Sequence, residues 1–169
     1  QSVFPSVRTV INVGGQSSQA LRVGENGRVA DFVFSERCAA GSARFLQVMA
    51  NVLRVKLEDI GPLSLKATHP VSFSTGCAVF GETEAITRIA EGFSKEDILA
   101  GVHQSLTSKL ASLVARVKLV EDCALCGGGA LDVGLVKTVE DTLGVEVLVP
   151  PKPQVVTALG AAVTARDAA

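Results

Sequence analysis

Residues Val7–Phe34 read VRTVINVGGQSSQALRVGENGRVADFVF, and this stretch decides the class of fold. Three apolar-rich runs, 7–14, 19–23 and 28–34, are separated by Gly14-Gly15 and by Glu25-Asn26-Gly27. Asn-Gly between apolar runs marks a tight hairpin, because its turn needs positive φ. Gly14-Gly15 supplies the same backbone freedom at the first break. The stretch therefore predicts three strands in an antiparallel meander.

Beyond it the period changes. Phe45, Leu46, Met49, Val52 and Leu53 recur at helical spacing, which predicts a helix starting near Gly41-Ser42. Ser94-Lys95-Glu96-Asp97 resembles a capping box. Behind it Ile98, Leu99, Val102, Leu106, Leu110, Leu113, Val114 and Val117 make one continuous apolar stripe, the strongest helix signal in the chain. Cys123–Cys126 is a short strand-like run ending in Gly127-Gly128-Gly129. A helical pattern follows over 131–143, with a stop at Gly144. A strand at 145–149 ends at Pro150-Pro151, and a last helix covers about 155–165, with small residues at Ala158, Gly160, Ala161 and Ala162. Strands first, then helices, then strand, glycines, helix, strand and helix define a mixed α/β layer fold, expected as one domain over residues 1–169.

Composition agrees with a packed domain. The 169 residues are 47% apolar and 20% charged, with a formal net charge of −1 and a mean hydropathy of +0.37. A near-neutral balance without a basic cluster argues against nucleic acid as a partner. The longest stretch without Asp, Glu, Lys or Arg, 67–81, and the next, 153–165 and 9–21, fall short of the roughly 20 apolar residues that a membrane span needs, so no membrane span is expected. Met49 is the sole methionine, so the chain is expected to be part of a longer or processed one. Its four cysteines are too few for a disulfide scaffold, which points to a reducing cytoplasm.

Chemistry has a few candidate places. The Gly14-Gly15 turn, with Gln16, Ser17 and Ser18 at its tip, suits a phosphate wrapped by backbone N–H groups, or is an ordinary glycine hairpin. Gly127-Gly128-Gly129 between a strand and a helix lets a nucleotide approach the backbone, although it is neither a Walker loop nor a G-x-G-x-x-G fingerprint. Cys38 and Cys77 each precede small residues and a helical pattern, in CAAGSARFLQVM and CAVFGETEAI. A cysteine at a helix N-terminus is favoured as thiolate, so two such helices suit one metal cluster; the other reading is two small hydrophobes packed inside. Cys123 and Cys126 have C-x-x-C spacing without a matching His or Cys pair and are read as structural. His69 and His103 are read as surface or boundary residues. Glu82 and Glu84 are read as favourable acids near a helix start.

Taken together, INVGGQSSQ, CAAGSARFLQVMA, STGCAVFGETEAI, CGGGALDVGLVKTVEDTLG and VPPKPQVVTALGAA, in that order over nearly the whole chain, resemble the ATPase activators of 2-hydroxyacyl-CoA dehydratases, a family that includes the ATPase subunits of benzoyl-CoA reductases. The resemblance implies the fold of actin, hexokinase and the heat-shock chaperone ATPases, which is ribonuclease H-like. Two similar α/β halves there hold a nucleotide between them, and this chain corresponds to the second half, without the first. It implies that Cys38 and Cys77 ligate a 4Fe-4S cluster shared across a homodimer, two thiolates from each protomer giving four. Gly14, Gly15, Gln16 and Ser17 would belong to a phosphate-binding hairpin. Gly127, Gly128 and Gly129, with Pro153, Gln154 and the helix containing Gly160, would form the adenosine side.

The implied activity is a switch in which ATP with Mg²⁺, and its hydrolysis to ADP, drive one electron to a dehydratase or reductase partner. The chain departs from the family pattern D-I-G-G-Q-D at two positions, with Asn12 for the first acid and Ser17 for the second. An amide oxygen brings no negative charge to Mg²⁺. The departure makes a non-hydrolysing module that binds nucleotide or a partner the alternative. Ser42 and Ala43 also stand where Thr-Gly is usual.

Overall fold

The computed structural model describes residues 2–35, 42–74 and 77–167. The meander forms at the expected breaks: β1 (Thr9–Val13) pairs antiparallel with β2 (Ser18–Val23), and β2 with β3 (Val29–Phe34). Gly27 in the second turn has φ +77°, whereas Gly14 and Gly15 in the first are not at positive φ, so that turn does not use the glycine freedom expected of it. On the other side of β1, β4 (Cys123–Cys126) runs parallel to it, and β5 (Val147–Leu148) parallel to β4. The sheet order is β3-β2-β1-β4-β5, so the antiparallel hairpins occupy one side and the parallel strands the other. The strand expected at 145–149 is reduced to two residues at the sheet edge.

Helices cover the sheet. These are α1 (Arg44–Leu53), α2 (Ile60–Ser64), α3 (Ala78–Ala90), α4 (Lys95–Val117), α5 (Val133–Leu143) and α6 (Val156–Asp167). Ser94 caps α4 by accepting the Asp97 N–H at 3.1 Å. The Ser94 hydroxyl also donates to the Asp97 carboxylate at 2.6 Å, and that carboxylate accepts the N–H groups of Thr68 and His69. All eight residues of the apolar stripe are buried. They meet β2, β3, α2 and α5, so α4 is the spine of the core. Gly101 is required there, because the Val71 carbonyl lies where a side chain would begin.

Two expectations need correction. The helix expected from 131 begins at Val133, because Gly128–Leu131 forms a short 3-10 turn and Asp132 takes the cap, accepting the N–H groups of Gly134 and Leu135. His103, expected at the surface or its boundary, is fully buried. It lies one residue off the stripe, but α4 packs on several sides, which encloses Gly101, His103 and Thr107 as well.

Candidate functional site

The parallel pair β1 and β4 sets the site. Their register, Thr9 with Cys123 through Asn12 with Cys126, brings both C-terminal ends to the same edge of the sheet. Each strand stops at glycines there, and in open α/β sheets the crevice beyond the carboxyl ends of parallel strands is where ligands bind.

Beyond β1, the chain turns back through Gly14–Ser17, closed by Gly14 N–H to the Ser17 carbonyl at 3.0 Å. The turn is anchored at its base. The Gly14 carbonyl accepts Ala43 N–H at 2.9 Å, and the Gly15 carbonyl accepts the Ser42 hydroxyl at 3.4 Å. Ser42 is fully buried, so the start of α1 is fastened to the hairpin.

Beyond β4, Gly127 has φ +86° and sits against the Val13 carbonyl and the Asn12 side chain, leaving no room for a Cβ. Its N–H donates to the Pro153 carbonyl at 2.9 Å, which joins the glycine run to the 3-10 turn Pro153–Val155. Gly129 is pressed on Val13, whereas Gly15 and Gly128 face open space.

Gly15, Gly128 and Gln154 thereby line one cleft of about 390 Å³. Beside them stand Arg44 and Gln47 from α1, Leu57 and Glu58 from the 3-10 turn after it, and Leu131 and Asp132. Leu57 and Leu131 give the lining apolar surface, while the glycine backbone and Arg44 offer donors. Leu131 and Asp132 belong to the 126–132 segment that the sequence offers to a nucleotide, whereas nothing in the sequence points to Arg44, Gln47, Leu57 or Glu58.

Of the other expected residues, Pro153 is buried and acts through its carbonyl, Gly127 and Gly129 shape the turn, and Gln16 lies exposed at the hairpin tip beside half-buried Ser17. Asn12 shares a sheet face with Val10 and Cys126, and its Oδ1 accepts the Cys126 thiol at 3.6 Å.

Cys77 is the N-cap residue of α3 and half-buried. Backbone N–H groups of Phe80 and Val79 hold its thiol below the usual range, with a smaller pull from Lys109. Cys123 and Cys126 are buried, and desolvation pushes their thiols up to about 12 and about 11. They behave as packing residues, as the lack of a matching His or Cys pair suggests despite their C-x-x-C spacing. Cys38 lies outside the described residues. Among the described residues no group of three or more His, Cys, Asp or Glu gathers as a metal site. His69 is exposed, and Glu84 binds Ser74 N–H and hydroxyl and pairs with Arg88.

This mixed sheet with glycine turns at its parallel ends is the α/β fold of the actin-like ATPases. It aligns with the ethanolamine utilization protein EutJ from Carboxydothermus hydrogenoformans at a TM-score of 0.54, where 18% identity shows the fold alone. The chain belongs to the BadF/BadG/BcrA/BcrD ATPase family, which it matches over residues 2–165.

Among relatives, it is 43% identical to the (R)-2-hydroxyglutaryl-CoA dehydratase activating ATPase of Acidaminococcus fermentans, over 96% of this chain and 62% of that one. It is 37% identical to a benzoyl-CoA reductase subunit of Thauera aromatica, over 82% of this chain and 50% of that one. The solved activator of the 2-hydroxyisocaproyl-CoA dehydratase from Clostridium difficile, with bound ADPNP, superposes at a TM-score of 0.94 with 38% identity, covering 98% of this chain and 62% of that one. The chain thus spans less than two thirds of the length of these relatives. No helix among the described residues is long and apolar enough to cross a membrane.

Proposed function

We propose that this chain is the C-terminal, nucleotide-binding lobe of a cytoplasmic, ATP-dependent one-electron activator for an enzyme of the 2-hydroxyacyl-CoA dehydratase or benzoyl-CoA reductase type. The observation that carries this reading is the meeting of Gly15, Gly128 and Gln154 around one cleft at the ends of adjacent parallel strands. Family membership and an ADPNP-bound structural neighbour support the ligand class.

In this reading the adenine lies between Leu57 and Leu131 and the phosphates run toward Gly14–Ser17. Backbone N–H groups suit phosphate oxygens because they are fixed donors in a site of low dielectric. Contact with a terminal phosphate that is present in ATP and absent in ADP biases the hairpin between two positions. The Gly14–Ala43 and Gly15–Ser42 hydrogen bonds pass that bias to the start of α1, directly after the segment containing Cys38.

The donor chemistry fits a 4Fe-4S cluster. Cys77 is held toward its thiolate at a helix N-cap, and two cysteines from each of two protomers complete the four ligands such a cluster takes. When bound, the cluster supplies a low-potential one-electron couple. Cys77 and Cys38 would hold it. Val79 and Phe80, exposed at 70% and 66% on the first turn of α3, give an apolar rim beside Cys77 for the second protomer of a homodimer.

A second reading, a module that binds nucleotide or a partner without hydrolysis, is favoured by Asn12, whose carboxamide brings no charge to Mg²⁺ and bonds Cys126. Calorimetry with MgADP beside a phosphate-release assay with MgATP separates the two. Binding with ATP-dependent phosphate release supports the activator. Run on protein carrying both lobes, binding without release supports the module, and no binding of either nucleotide removes the activator and leaves only a module that binds a partner.

A further inference from the structure

His103 is fully buried in the middle of α4, and its Nε2 lies 3.1 Å from the Asp132 Oδ2. A carboxylate only accepts, so the imidazole donates through Nε2–H. Its Nδ1 has no partner among the described residues, so Asp132 is the one polar group that this buried ring serves.

Asp132 stands at the junction that matters for the cleft. Its Oδ1 accepts Gly134 N–H at 2.9 Å and Leu135 N–H at 3.0 Å, capping α5, and its own N–H donates to the Gly129 carbonyl at 3.1 Å. It lines the cleft beside Leu131 and Gly128. The packing around the pair has no slack. A Cβ on Gly134 would fall 2.8 Å from the imidazole Cε1, and one on Gly61 of α2 would fall 2.6 Å from Asp132 Oδ1. Three helices therefore close on a single carboxylate, with one oxygen spent on α5 and the other held by His103.

We infer that His103 is a positioning residue for nucleotide binding: by holding Asp132 from behind, it fixes the glycine turn and Leu131 in the conformation that the cleft presents to ADP. This rests on the nucleotide reading of the cleft. His103 cannot touch the ligand, since it is sealed in the core, so its effect reaches the cleft only through Asp132.

The test measures MgADP affinity calorimetrically in the intact protein, with amide exchange at Gly134 and Leu135. His103→Leu removes the donor at similar volume and should weaken binding about tenfold, the scale of one lost buried hydrogen bond to a charged group. His103→Gln, whose amide nitrogen reaches the place of Nε2, should stay within about threefold of wild type by restoring that bond. Leu110→Ala, a buried truncation on α4 two turns away, should lower stability while leaving affinity unchanged, and should speed exchange at Gly134 and Leu135 no more than at other buried amides. If His103→Leu does not fold, His103→Asn, whose amide falls short of Asp132, takes its place. Wild-type protein that takes no MgADP overturns the reading of the cleft, and the inference with it. Wild-type binding that survives His103→Leu, fails to recover in His103→Gln, or weakens equally in Leu110→Ala overturns the inference alone.

Discussion

Cys77 and Cys123 have the same side chain and opposite environments. Backbone N–H groups at the α3 N-terminus lower the first thiol, while burial pushes the second up to about 12. At neutral pH the lowered group carries more thiolate, and thiolate is the reactive form. Iodoacetamide labelling of the native, iron-free protein should therefore modify Cys77 well before Cys123 and Cys126, with a pH midpoint below that of a free thiol, and the latter pair should react only on unfolding. Mass mapping of the labelled peptides checks this. The glycines separate in the same way. Gly127→Ala forces a side chain into left-handed backbone against the Val13 carbonyl and should destabilise by at least about 1–2 kcal/mol. Gly128→Ala meets nothing within 4 Å and should leave the melting temperature nearly unchanged while weakening nucleotide binding. Thermal melts with and without MgADP distinguish the two.

Among the elements, α4 is the most legible in sequence and also the most incompletely specified by it. Its stripe and its Ser94 cap follow from spacing and residue type, which are local. That His103 and Thr107 are also enclosed follows from what packs on the other sides of the helix, which periodicity along one element does not encode. The start of α5 shifts for a related reason: apolar Leu131 continues the helical pattern, but the glycines before it favour a tighter turn and hand the cap to Asp132. Cys77 as an N-cap and the two hairpin breaks are legible because turn and cap chemistry is local. The cleft walls formed by Leu57, Glu58 and Arg44 are not, since only the tertiary fold carries them across to the glycine run.

The α4 cap makes a pH prediction. The Ser94 hydroxyl, then the His69 and Thr68 N–H groups, hold the Asp97 carboxyl below its usual range. A lowered folded value means that its stabilisation is complete above the ordinary carboxylate range near 3.9 and is lost as pH falls through the lower folded value. Asp97→Asn should flatten that acid limb in urea titrations from about pH 5 to 2. Ser94→Ala should lower stability by about 1 kcal/mol at neutral pH.

The five-stranded sheet sets the geometry of the molecule. An antiparallel hairpin and a parallel crossover strand share β1, so two glycine turns distant in sequence arrive at one edge and the first turn of α1 is tied to one of them. The proposed activator needs two copies of this arrangement, joined where the thiols emerge. Anaerobic iron analysis combined with mass determination in solution tests this most directly. A dimer carrying about four irons is expected, with iron near zero in Cys38→Ser and in Cys77→Ser. Full iron retained in either variant, or a wild-type protein that binds MgADP yet never takes up iron, would contradict it.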